Sequence, residues 1–166
     1  MARLLTYINS TMRNNTNEPR VLILEDHDAL RVLLFTVLRH QPLAVDTAAT
    51  ADEALEKVAN CDYALILIDM NLPDDASPAF LRRFHEQRPD ATTFIIAVRD
   101  PKLEVPIDPH VADAVLNKPL EIDTLAEVVR ECALVVPPPE EPLGTCPPAE
   151  SDVRAQLDRG SSYLAN

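Results

Sequence analysis

The sequence predicts a doubly wound α/β domain, a five-stranded, mostly parallel sheet with helices on both faces. Two observations predict it. Strand-length apolar runs alternate with amphipathic helical stretches across short connections over residues 20–134. Two of these runs are apolar at every position, as strands buried on both faces must be, and each stops at a carboxylate.

The first run is Val21-Leu22-Ile23-Leu24, ending at Glu25-Asp26. Leu30, Leu33, Leu34, Val37 and Leu38 then recur at helical spacing, and the helix closes near His40-Gln41-Pro42. Residues 43–47 read as a short second strand. Thr50 and Glu53 form a capping box for the next helix, with Ala54, Leu55 and Val58 on its buried face. Residues 64–68 (Ala-Leu-Ile-Leu-Ile) are the second fully apolar run and end on Asp69. Ser77-Pro78 supply an N-cap and a first-turn proline for a third helix with Phe80, Leu81 and Phe84 inward. Residues 93–98 are rich in β-branched and aromatic residues and form the fourth strand; residues 114–116 form a shorter fifth. Ile122, Leu125, Val129 and Cys132 mark the closing helix. The helix due between the fourth and fifth strands is shortened or lost, because Pro101, Pro106 and Pro109 leave room for a turn or two at most.

Flanking this domain, residues 1–19 read as an N-terminal tail. Leu4, Leu5 and Ile8 allow at most a short amphipathic helix over residues 1–13, with no run long enough for a signal peptide or membrane span. Residues 135–166 carry Pro137, Pro138, Pro139, Pro142, Pro147 and Pro148 among small and acidic residues, and read as a disordered tail.

The 166 residues are 46% hydrophobic, enough for one core, and the net charge is −12. Within residues 20–134, 11 Lys/Arg face 21 Asp/Glu, so the acidity belongs to the domain. Such a surface repels phosphate backbones and anionic lipid heads, which argues against nucleic-acid and membrane partners. Cys61, Cys132 and Cys146 show no metal-ligand spacing and read as unpaired thiols, Cys61 and Cys132 buried and Cys146 exposed, which points to the cytoplasm. The histidines at 27, 40, 85 and 110 are scattered; His27 alone falls near the strand-end acids.

In an open parallel sheet, ligands bind at the carboxyl ends of the strands where strand order reverses. The predicted fold therefore gathers Glu25, Asp26, Asp69 and Lys118 at one edge. Carboxylates packed together need a cation, and an oxygen-rich open site suits Mg²⁺ (or Mn²⁺). With the ion present, Asp69 can attack a phosphoryl group, its product shared between the metal and Lys118.

Val-Leu-Ile-Leu-Glu-Asp at 21–26, Leu-Ile-Asp-Met-Asn-Leu-Pro at 67–73 and Lys-Pro at 118–119 together resemble the response-regulator receiver family. The resemblance implies a flavodoxin-like fold, Asp69 as phosphoacceptor, and Asp26 as direct metal ligand. It further implies Glu25 reaching the metal mainly through water, the Asn71 carbonyl as a ligand, Met70 flanking the site, and a cis peptide at Lys118-Pro119. Partners implied are a histidine kinase or phosphotransfer protein and an effector protein of unstated identity, with self-association left open. No output domain is read in the sequence, so the expectation is a stand-alone receiver, an enzyme only in its own dephosphorylation.

Three positions depart from the family pattern. Arg99 stands where a Ser or Thr usually meets the phosphoryl group, and Val115 where a Tyr or Phe usually turns. The proline-broken 100–113 stretch replaces the fourth helix. These favour, as the alternative, a degenerate receiver that works as a phosphorylation-independent interaction module. Arg99 itself is open to two readings, meeting phosphate or pairing with Asp69 or Glu104. A phosphatase with an aspartyl nucleophile is disfavoured, since Asn71 replaces the second Asp such enzymes want.

Overall fold

A computed structural model describes residues 18–103, 106–144 and 146–162 of the chain. Residues 1–13, and the linker before residue 18, lie outside the described residues. The strands are β1 (Arg20–Leu24), β2 (Ala44–Ala48), β3 (Leu65–Asp69), β4 (Phe94–Arg99) and β5 (Ala114–Asn117). They form one sheet in the order β2-β1-β3-β4-β5, parallel at every pairing. The helices are α1 (Asp28–Leu38), α2 (Ala51–Asn60), α3 (Ala76–Gln87), α4 (Ile122–Val135) and α5 (Glu150–Ser162).

Successive strand residues point to opposite faces, so each apolar run feeds two cores. Leu22, Leu24, Ile66, Ile68 and Ile95 pack against α2 and α3 through Leu55, Val58, Phe80, Leu81 and Phe84. Val21, Ile23, Leu65, Leu67 and Ile96 pack against α1 and α4 through Leu34, Leu38, Leu125 and Val129. Each such Leu, Ile or Phe contributes roughly 1.5–3 kcal/mol on burial, which is why runs without a polar residue hold the centre. Leu33, counted in the α1 stripe, is instead 45% exposed.

Local signals are met with small shifts. Thr50 Oγ1 accepts from the Glu53 amide at 3.2 Å as a capping box requires, while the Glu53 carboxylate reaches back to the Ala49 amide at 2.9 Å. Ser77 does not cap α3. The helix opens at Ala76 after Asp74 and Asp75, both left-handed at φ 58° and 53°, and Ser77 is buried in its first turn. Asp tolerates that conformation better than most residues, which lets the turn close without glycine. The described part of residues 100–113 holds turns and no helix, as the prolines dictate.

Two expectations about the C-terminal part are corrected. Residues 136–144 and 146–149 follow an irregular path, residues 150–162 form α5, and Cys146 is disulfide-bonded to Cys61, 85 residues away in sequence. The segment is not a free tail, and Cys61 and Cys146 are not unpaired thiols; the compartment reading that rested on unpaired thiols loses that support. Composition reports apolar burial alone. Here a cross-link and hydrogen bonds to sheet backbone hold a segment that buries little beyond Ala149. Cys132 is free and half-buried. No helix among the described residues is long and apolar enough to cross a membrane.

Candidate functional site

Strand order reverses between β1 and β3, and their carboxyl ends lie side by side there. Glu25 and Asp26 follow β1, and Asp69 is the last residue of β3. One oxygen from each of these three carboxylates lies within 4.8 Å of the others. Glu25 and Asp69 are 4% and 7% exposed, so two of the three charges are drawn out of water, while Asp26 faces solvent. Lys118, just past β5, donates from Nζ to Asp69 Oδ2 at 3.2 Å. The sheet thus brings together the four charged residues that the sequence singled out, and the Lys118-Pro119 peptide is cis.

Backbone hydrogen bonds aim these groups. Asn71 donates its amide to Asp69 Oδ1 at 2.9 Å, leaving Oδ2 for Lys118. The Asn71 side chain accepts from the Asp100 amide at 2.9 Å, tying the β3 and β4 ends together. His27 donates its amide to Glu25 Oε1 at 3.0 Å and caps α1 through its ring. Two contributors carry no sequence signal. Ser77, fully buried, donates its hydroxyl to the Asp69 carbonyl. Arg31 donates to the Glu25 carbonyl at 2.9 Å and the Asp26 carbonyl at 3.4 Å. Neither follows from periodicity, because each depends on how a helix lies across a strand end.

Below the acids lies a cavity of about 290 Å³ with walls that include Leu30, Leu34, Leu67 and Leu125. This apolar floor explains the electrostatics of Glu25. Burial pushes its carboxyl up to about 7; Asp69 and Asp26 add to the rise, while the His27 amide and Lys118 oppose it. A carboxyl that resists ionising beside two others is a site short of positive charge. The donors are all oxygens, which fits a hard divalent cation such as Mg²⁺.

The departures are also placed. Arg99 turns its guanidinium to Asn117 Oδ1 at 2.9 Å rather than to Asp69. Glu104, the other partner considered for it, lies outside the described residues. Val115 is 40% exposed on the edge strand β5, and Met70 is buried beside Asp69.

With this geometry in hand, comparison with known proteins gives concordant results. Residues 21–130 match the profile of the response regulator receiver domain. The transcriptional regulatory protein PmrA of Pectobacterium parmentieri is 32% identical over 117 residues, 67% of this chain and 50% of that protein. ResD of Bacillus subtilis is 32% identical over 75 residues, 45% of this chain and 31% of that protein. The chain thus spans half or less of the length of these relatives. Among solved structures, a CheY-like receiver domain protein from Methanospirillum hungatei JF-1 superposes with a TM-score of 0.60 at 28% identity, over 70% of this chain and 94% of that one. A sensor protein from Polaromonas sp. JS666 gives 0.61 at 27%, over 72% and 98%.

Proposed function

Because the chain belongs to the response regulator receiver family of two-component signalling, we propose that Asp69 accepts a phosphoryl group in the presence of Mg²⁺ and that the protein signals through protein-protein contacts. The observation that carries this reading is the carboxylate trio with Lys118 Nζ 3.2 Å from Asp69 Oδ2. The donor would be a histidine kinase or phosphotransfer protein.

In the proposed reaction an Asp69 oxygen attacks phosphorus, the bond from phosphorus to the donor breaks, and an acyl phosphate forms. The Asn71 amide holds the carboxylate in one orientation, and Ser77 and Arg31 fix the backbone that carries the acids. Lys118, freed from the carboxylate, pairs with phosphoryl oxygen. Glu25, Asp26, Asp69 and the Asn71 carbonyl would hold the ion, which supplies charge neutralisation for the incoming phosphoryl oxygens. Hydrolysis of the acyl phosphate is the further catalysis proposed.

The test is labelling by a small acyl phosphate. Wild type takes up phosphate with Mg²⁺ and not when chelator is present from the start, and Asp69→Asn is not labelled. If wild type and Asp69→Asn both stay unlabelled with Mg²⁺ present, the reading is lost.

One observation favours a second reading, a receiver that signals by binding alone: Arg99 occupies the place of the usual hydroxyl and is bonded to Asn117. That reading expects partner binding to survive Asp69→Asn unchanged.

A further inference from the structure

The β2 edge of the sheet is closed by the C-terminal part of the chain. β2 pairs with β1 on one side only, so its outward amides need other partners. Ser151 Oγ accepts from the Val45 amide at 2.8 Å, and Glu150 Oε1 from the Thr47 amide at 3.0 Å. Glu150 also takes the Thr47 hydroxyl at 3.1 Å and Lys57 Nζ at 2.6 Å, and its own amide donates to Asp46 at 2.9 Å. Cys146 is anchored to Cys61 at the end of α2, and Arg20 donates to the Pro147 carbonyl at 2.6 Å.

These contacts are numerous but individually weak. Hydrogen bonds exchanged with water return little net stability, and side chains must be ordered to make them. Apolar burial does not make up the difference, for Val153 and Leu157 on α5 are 45% and 63% exposed. The disulfide changes the balance by holding the cap at high effective concentration beside its edge. Cys61 is 3% exposed and Cys146 is half-buried, so the sulfur open to attack is that of Cys146.

We propose that Cys61 and Cys146 form a redox latch: while it is closed, Glu150 and Ser151 cap the outward amides of β2, and reduction by a dithiol releases the cap. In that reaction one thiolate of the dithiol attacks Cys146, forming a mixed disulfide and expelling the Cys61 thiolate, which takes up a proton. The second thiol of the reductant then displaces Cys146, closing the reductant's own disulfide; two electrons and two protons pass to the cysteine pair. The occupant of the edge is this chain's own residues 146–151.

Hydrogen exchange on the full chain, with and without dithiothreitol, tests the latch. Thiol counting before reduction should find one free thiol. On reduction, the Val45 and Thr47 amides should speed up at least tenfold more than the amides of β3, which report the global loss of stability alone. Cys146→Ser should reproduce the reduced pattern without reductant. Glu150→Ala with Ser151→Ala should expose the same two amides with the disulfide intact. Three free thiols before reduction, unchanged exchange at Val45 and Thr47 after it, or equal acceleration in β3 would each overturn the latch.

Discussion

The two edges of the sheet are built on opposite plans. At the β2 edge the outward amides of Val45 and Thr47 are bonded to side chains of the C-terminal segment, behind a disulfide and a part-buried ion pair between Arg20 and Asp46. At the β5 edge the described part of the connection from β4 holds no helix, Val115 is 40% exposed, and Arg99 and Asn117 bond to each other at the rim. Alternating strands and helices specify the centre, whereas each edge is decided by what the chain has left to cover it. Among the described residues the β2 edge is covered and β5 is left thin.

Damage to the β2 side should therefore cost far more stability than damage to the β5 side. The largest effect is expected at Asp46, buried at 3% exposure, which accepts from Arg20, from the Tyr63 hydroxyl and from the Glu150 amide. Asp46→Ala leaves a half-buried guanidinium without its carboxylate, and the Tyr63 hydroxyl and Glu150 amide without their acceptor, and should cost about 3–5 kcal/mol in urea unfolding. A loss under about 1 kcal/mol would show that water replaces the carboxylate and that the β2 side is not a tight network. Next comes the cross-link. Cys61→Ser removes a constraint on an 85-residue separation and should cost up to about 4.5 kcal/mol on the chain-entropy view. Unfolding wild type with reductant should then reproduce the variant's midpoint.

Glu25 sits where the β2 side meets the acidic site, its amide donating to the Ala48 carbonyl at 3.1 Å. Its folded carboxyl, raised from 4.5 to about 7, binds a proton more readily than the unfolded one. Without metal its contribution to stability is therefore lost as pH rises from 4.5 to 7, by up to about 3 kcal/mol. Glu25→Gln, neutral throughout, should lack this component, so the wild type falls relative to the variant over that window. Mg²⁺ should offset the fall, and apparent Mg²⁺ affinity should weaken below pH 7, where the proton competes. A wild-type-minus-variant difference flat from pH 4.5 to 8 would mean that Glu25 is already ionised in the folded protein.

Much of the centre could be read before any coordinates. Val21-Leu22-Ile23-Leu24 and Leu65-Ile66-Leu67-Ile68 are strands because no amphipathic element could hide them, and the acids that end them had to meet once the sheet was parallel. The edges could not be read in this way. Ser151 meets Val45 across 106 residues, and the cysteine pair spans 85; no local period reports such contacts, and three cysteines admit several pairings. Ser77 read as a helix cap because Ser before Pro usually is one, but with Asp74 and Asp75 left-handed the helix opened earlier and turned its hydroxyl onto the Asp69 carbonyl.

The smallest effects are expected at the β5 edge, and they bear most directly on the family pattern. Arg99 is bonded to Asn117 at the partly exposed rim, and such a contact contributes little. Arg99→Ala should change stability by no more than about 0.5 kcal/mol, as ordinary surface substitutions do. Because Lys118 already sits against Asp69, acyl-phosphate labelling of Asp69 should change by no more than about threefold. Val115→Thr should be equally mild. A fall of more than about thirtyfold in labelling of Arg99→Ala would mean that the guanidinium leaves Asn117 and meets the phosphoryl group, which would make the thin edge part of the chemistry.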